Sequence, residues 1–535
     1  MTLAADPRHP AALPHWEETP TDLAAAIREI KPALRARIEA SGRSVQEVFA
    51  AVEQRIEARI AEIEADRARG EEVWPVLDYD AIAGGTVTPA ETAKLRKRGC
   101  LVVRGHFPRE QALAWDAGIV DYVERNEFFE NYTGPGDDFF GSVGSKPEIY
   151  PVYWSQAQMQ ARQSERMATV QSFLNSFWKH TADDGTRWFD PDRDALYPDR
   201  IRRRPPGTDS AGLGTHCDPG TLDLWMTREH QQAFRHLFDG TAEQYDPWDA
   251  AHRTTGPQYP GSTMCSAFRT FQGWTALSDM DADQGVLHTV PIPEIMAYLL
   301  LRPLLPDVPE DSMCGVRTNQ VFPVTKRWHP VLYRALTPIP DVRAGDSVWW
   351  HCDMVHSVAP VENQKGWGNV MYIPAAPWCP RNETYAASVR EAFLTGSSPS
   401  DFPEEHYERS WTGRFTLDQL NDTHAGCSGA GSRRCSSRCR GPGRHAGCSG
   451  AGSRRCSSRC RGPGRGGPPR LPPPAGTVRR ACPARRPLPV PAPRRPRGVP
   501  APRAAARRRP PGGGGPAPPG IVQPGPSACG APCRH

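Results

Sequence analysis

The segment DSVWWHCDMVHSV, residues 346–358, decides the reading of the fold. It follows a turn at Ala344-Gly345-Asp346 and is rich in Val and Trp, as a buried strand is. Side chains alternate faces along a strand. Taken as one regular strand from Ser347, the run puts positions 348, 350, 352, 354 and 356 on one face and 349, 351, 353 and 355 on the other. His351 and His356 then oppose each other, and only one can face a barrel interior. The tripeptide His351-Cys352-Asp353 has an earlier counterpart, His216-Cys217-Asp218, inside THCDPGTLDLW at 215–225. Residues two apart on a strand point the same way. His216 and Asp218 are thus presented together, with Cys217 on the other face.

Two histidines and a carboxylate on one face of an octahedron leave three adjacent positions open, the facial triad of non-haem Fe(II) oxygenases. Such a site is built from His-x-Asp plus a distant histidine. The pair His216 and Asp218 meets the first requirement. His356 meets the second, because the shape Gly-Asp, nine residues, His-Ser (Gly345 to Ser357) matches the distal histidine of the oxygenase pattern. His351 and Asp353 then stand behind the ligands or serve the structure. A rival set joins His216 to His351 and Asp353. His-x-Asp alone recurs by chance, and a buried histidine is usually just hydrogen-bonded; the later Gly-Asp…His run carries the choice.

Working outward, the segments from about Gly207 alternate short β-branched or aromatic runs with Pro and Gly turns. They include Phe268–Leu277, Gly285–Pro291 and Asn369–Pro377, interrupted by a helix at Ile292–Leu305 and closed by another at Thr384–Gly396. Upstream, Cys100–Phe107 reads as a short buried strand, the run after Pro108 as a helix, Asn131–Tyr153 as irregular and Met159–Trp178 as a helix. The expected class is α+β, with an all-β barrel or sandwich surrounded by helices. Residues 1–21 read as a loose leader. Residues 22–70 form a helical arm of two helices split near Ser41-Gly42, for packing or dimer formation, so a homo-oligomer stays open. Residues 71–423 are the main domain and 424–535 a disordered tail.

The net charge of +5 hides an asymmetry. Residues 424–535 hold 23 Arg and no Lys, Asp or Glu, leaving 42 Lys and Arg against 60 Asp and Glu in residues 1–423, a net charge of −18. An acidic body gives no reason to expect nucleic acid or an anionic membrane as partner. The tail lacks the apolar residues to fold and repeats HAGCSGAGSRRCSSRCRGPGR at 424–444 and 445–465. It reads as a translated GC-rich stretch rather than as a nucleic-acid-binding arm, the one route to such a partner. Nine of the fifteen cysteines lie there. The body's six are scattered without a CxxC pair, which suits a reducing cytoplasm. No signal peptide or apolar run of about 20 residues is seen.

FRTFQGWTALSDMDADQGVLHTVP (268–291) resembles the segment between the ligands of phytanoyl-CoA-dioxygenase-like enzymes. RGCLVVRG, THCDPGTLDLW, YDPWDAAHR, GDSVWWHCDMVHSV, NVMYIPAAPWCPRNETY and FLTGSSPSDFP together resemble the YbiU-like domain-of-unknown-function family, regarded as Fe(II)/2-oxoglutarate oxygenases, over roughly residues 70–420. That resemblance implies a double-stranded β-helix (jelly-roll or cupin-like) core and Fe(II) held by His216, Asp218 and His356. It also implies 2-oxoglutarate and O2 as co-substrates and a small organic molecule as substrate, which it does not name. The far carboxylate of 2-oxoglutarate needs a cation, and Arg suits it through its bidentate fork. Many oxygenases place that Arg about ten residues after the distal histidine; here SVAPVENQKGWGNVMYIP (357–374) has none. Arg269 is the preferred candidate, with Arg302 and Lys365 as alternatives. On its strand Arg269, Phe271, Gly273 and Thr275 share one face, Gln272 and Trp274 the other, and the inward face stays open. Trp225, Trp274, Trp349, Trp350 and Trp367 line a pocket or pack the core. Two rivals remain: a metal-binding cupin-like barrel without oxygenase activity, and a nucleic-acid-associated protein acting through the tail.

Overall fold

A computed structural model describes residues 13, 15–16, 19–134, 148–256 and 266–421. The tail from 424, most of the leader and Cys265 lie outside them. The strands are β1 (Val76–Asp78), β2 (Cys100–Arg104), β3 (Ile149–Tyr150), β4 (Asp190–Asp194), β5 (Ile201–Arg202), β6 (Leu213–Cys217) and β7 (Phe271–Ala276). There follow β8 (Leu287–Thr289), β9 (Phe322–Pro323), β10 (Thr337–Pro338), β11 (Ser347–His351), β12 (His356–Val358), β13 (Val370–Tyr372) and β14 (Pro377–Trp378). A seven-stranded sheet runs β1-β2-β11-β7-β13-β5-β3, a five-stranded sheet β10-β8-β12-β6-β9, and β14 pairs with β4. Only the β1–β2 pair is parallel among these. From β5 to β8, and again from β10 to β13, the chain steps from one large sheet to the other at every strand.

The seven-stranded sheet is apolar on both faces, which is why its strands read as unbroken hydrophobic runs. Trp274 and Ala276 of β7, Val348 and Trp350 of β11 and Val370 of β13 meet Leu287 of β8 in one core cluster, between the two sheets. The alternate residues Phe271, Trp349 and Met371 pack outward with Trp115, Ile119, Val170 and Leu174 of the helices at Arg109–Arg125 and Glu165–Asn175. Gly273 is required on that outer face: a Cβ there would lie 2.4 Å from the Trp349 ring, its cross-strand partner.

Two helices, α1 (Leu23–Glu39) and α2 (Val45–Ala68), fall where the periodicity of residues 22–70 places them. Asp22 caps α1, and Ser44 with Glu47 forms a capping box on α2. Their apolar stripes, Ile27, Ile30 and Leu34 on α1 and Val52, Ile56 and Ile60 on α2, join the cluster that holds Cys217, Phe322 and Val355. Each fully buried aliphatic side chain contributes roughly 1.5–3 kcal/mol, so these helices are part of the packing behind the five-stranded sheet. No helix among the described residues is long and apolar enough to cross a membrane.

Two expectations are corrected. Met159–Trp178 is two helices, Gln156–Arg162 and Glu165–Asn175, because Ser164 turns to accept the Arg166 amide and starts a new one. Ser347–Val358 is not one strand. It breaks at Cys352–Val355, so that β11 and β12 belong to different sheets.

Candidate metal centre

β6 and β12 are antiparallel neighbours, and His216 and His356 are directly paired across them. Their imidazole centroids are 4.2 Å apart. Asp218 opens a single helical turn, Asp218–Gly220, that swings its carboxylate back over the pair. Asp218 Oδ1 lies 3.3 Å from His216 Nε2 and 3.7 Å from His356 Nε2. Gly220 lets that turn close: a Cβ there would fall 2.0 Å from Phe322 Cβ.

The other ring nitrogens are tied down. His216 Nδ1 is 2.6 Å from the Gly214 carbonyl and His356 Nδ1 3.1 Å from that of Met354. A carbonyl only accepts, so each Nδ1 carries the proton and each Nε2 turns a lone pair toward Asp218. Burial, then the neighbouring His216, pushes His356 down to about 4, which keeps it neutral at pH 7. Burial works to raise the Asp218 carboxyl, but His216, His356 and Arg269 outweigh it and hold it well below the usual carboxylate range. The candidate ligand atoms of the three residues lie within 4.8 Å of one another. Two imidazole lone pairs and a carboxylate facing one point fit a divalent transition metal.

The second His-Cys-Asp is also a close cluster, but its side chains are engaged by protein. His351 stacks on Trp178 with centroids 4.7 Å apart, and its Nε2 is 3.0 Å from the Pro247 carbonyl. Asp353 accepts from Arg253 Nη1 at 3.1 Å and Nη2 at 2.8 Å. Its carbonyl accepts from Cys217 Sγ at 3.2 Å, so the second motif braces the first through the backbone. The rival set of His216, His351 and Asp353 is not brought together among the described residues.

The triad opens into a cavity of about 140 Å3 between the sheets. Gln272, Trp274 and Trp350 line it, so the even positions of β7 face inward. Thr275 does not: it faces away, opposite Ser347. Arg269 lines the cavity despite its odd number, because it precedes β7 and escapes the alternation. Its Nη2 donates to Asp218 Oδ2 at 3.2 Å. The two alternatives lie elsewhere. Arg302 pairs with Asp307 at 2.6 Å, and the exposed Lys365 lies 3.1 Å from Asp283. Trp225 and Trp349 are core, and Trp367 is exposed.

Sequence reasoning missed Tyr197, Arg202 and Asp401, which line the same cavity. Arg202 is buried on β5, and its guanidinium has no hydrogen-bond or ion-pair partner among the described residues. Arg204, two residues on, is fully buried and among the described residues donates only to the Gln284 and Gly285 carbonyls, at 2.7 and 2.9 Å. Burial, and next the nearby Arg202, pushes it down to about 10. The signal was the run RIRRR at 200–204, which composition alone reads as solvated charge.

The fold and cavity thus define an α+β protein with a buried His-Asp-His cluster between two sheets. Residues 21–432 match the Gig2-like family, and the chain belongs to it. It is 59% identical over 405 residues to the uncharacterized protein YbiU of Escherichia coli K12, covering 75% of this chain and 95% of that one. The YbiU-like resemblance is borne out. A crystal structure from Salmonella typhimurium LT2, provisionally described as an oxidoreductase, is similar with a TM-score of 0.74 at 57% identity, covering 78% of this chain and 99% of that one. The Candida albicans GlcNAc Inducible Gene 2 structure is similar with a TM-score of 0.61 at 25% identity, covering 77% of this chain and 90% of that one.

Proposed function

We propose that the chain is a non-haem Fe(II)- and 2-oxoglutarate-dependent oxygenase built on a double-stranded β-helix. The observation that carries the proposal is the convergence of His216 Nε2, His356 Nε2 and the Asp218 carboxylate at the wall of a cavity between the sheets. The strand-by-strand alternation between the two sheets supports that winding. The oxidoreductase description of the Salmonella relative agrees with the reaction class.

His216, Asp218 and His356 would hold the ion. Bound there, Fe(II) supplies the activation of dioxygen that couples decarboxylation of 2-oxoglutarate to succinate with oxidation of a C–H bond. Arg269 holds Asp218 Oδ2, leaving Oδ1 directed at the two imidazoles. That engagement makes Arg269 a poor grip for the oxoacid. Arg202 is the better one: it is buried in the cavity wall, unpaired, and backed by the second cation Arg204. Trp274, Trp350, Leu213 and Val358 keep the space around the triad apolar.

The test is anaerobic calorimetry of 2-oxoglutarate binding to the full chain with and without Fe(II). Binding at least about tenfold tighter with the metal is expected. Arg202→Ala should weaken it by roughly one to two orders of magnitude, while Lys365→Ala leaves it unchanged. Metal binding with no effect on the oxoacid would leave a metal-holding barrel without oxygenase activity.

A further inference from the structure

The cavity's charges, taken pair by pair, leave one acid over beside the one cation, Arg202, to which the oxoacid is assigned. Three carboxylates line it: Asp199, Asp218 and Asp401. Asp199 lies 3.8 Å from Arg200, and Asp218 lies 3.2 Å from Arg269. Asp401 is 1% exposed and forms no ion pair among the described residues; the cation whose charge reaches it, Arg269, is the one paired with Asp218. Its two oxygens are served unequally. Oδ2 accepts from the Ser266 amide at 3.0 Å and from the Tyr197 hydroxyl at 3.1 Å. Oδ1 is buried and has no hydrogen-bond partner among the described residues.

A buried carboxylate with a bare oxygen is costly unless a donor or a cation meets it. The Ser266 hydroxyl is a third donor to the carboxyl, and with Oδ1 left bare the chain fixes the group's direction from its other oxygen. Tyr197 is held in turn, stacked on Tyr385 with centroids 5.5 Å apart. Burial pushes the Asp401 carboxyl up to about 6, still below neutral pH, so the acid presents a charge there.

We propose that Asp401 is the recognition group for the primary substrate of the oxygenase reading above, and that this substrate carries a primary amine whose ammonium donates to Asp401 Oδ1. The cavity then holds two complementary ligands: the anionic oxoacid on Arg202 and the cationic substrate on Asp401.

The probes are n-butylamine and 1-butanol, matched in shape and different in charge, titrated into the full chain with Fe(II) under anaerobic conditions. The amine should bind at least about tenfold more tightly than the alcohol. Saturating 2-oxoglutarate should leave that preference in place. Asp401→Asn should level the two probes, and Tyr197→Phe, which leaves Oδ1 untouched, should keep the preference. Equal binding of amine and alcohol overturns the proposal, as does displacement of the amine by 2-oxoglutarate or a preference that survives in Asp401→Asn. Should that variant not fold, the comparison of probes and the competition in the wild-type chain decide. The two readings fail separately. An amine preference without any effect of metal on oxoacid binding removes the oxygenase and leaves the amine site; metal-dependent oxoacid binding without an amine preference removes the amine site alone.

Discussion

Asp218 divides two tasks between its two oxygens. Oδ1 faces both imidazoles, and Oδ2 is held by Arg269. Removing Arg269 should therefore loosen the metal more than the oxoacid. Arg269→Ala is expected to cost roughly 10–100-fold in Fe(II) affinity, the usual loss when a group that orients a ligand is deleted, read by anaerobic metal titration. The triad itself was legible: His-x-Asp with Gly-Asp…His names the three residues that the fold brings together. Arg202 was not, because an alternating strand inside RIRRR looks like a charged surface until its neighbours are known. Asp401 was illegible for a similar reason. Its partners, Tyr197 and Ser266, are 204 and 135 residues away in the chain.

Between β11 and β12 the turn at Cys352–Val355 decides which histidine enters the site. Strand parity allowed only one of His351 and His356 to face the interior, and the Gly-Asp…His run chose His356. The structure sets His356 beside His216 for another reason than parity, since the two downstream histidines lie on strands of different sheets. The turn is held by the buried Arg253–Asp353 pair. Breaking one side of such a pair leaves an uncompensated charge, so Arg253→Ala should destabilise the fold by roughly 3–5 kcal/mol in denaturant titration. Gly220→Ala should disturb the turn that carries Asp218 and weaken metal binding while β6 and β12 stay paired.

A pH effect belongs to β4. Burial pushes Asp194 up to about 7, and Asn175 Nδ2 is its side-chain donor at 3.2 Å. The native state thus binds this proton more tightly than the unfolded chain, whose value is near 3.8. The contribution to stability is complete below the unfolded value and is lost as the pH rises through the native one. Stability measured by denaturant should fall between about pH 4 and 7 on this account, and Asp194→Asn should reduce that slope, leaving the part that belongs to the buried Asp401 and Glu408, which burial also raises. An unchanged slope in the variant would assign it to another group.

At the scale of the molecule, α1 and α2 close the face of the five-stranded sheet opposite the cavity, and their stripes reach the cluster that holds Cys217 and Val355, the chain neighbours of the three candidate ligands. Periodicity found those helices but not their address, since an amphipathic stripe does not name the face it covers. Charge asymmetry set residues 424–535 apart, and the family match ends at 432. Deleting residues 433–535 should leave the melting temperature and metal affinity unchanged.

The central claim is tested most directly by adding Fe(II) and then 2-oxoglutarate to the full chain without oxygen and recording the visible spectrum. The account predicts a weak metal-to-ligand charge-transfer band, absent in His216→Ala and His356→Ala and retained in folded His351→Ala. A band that survives in His356→Ala but not in His351→Ala, or a folded, metal-bound protein that never develops one, would contradict it.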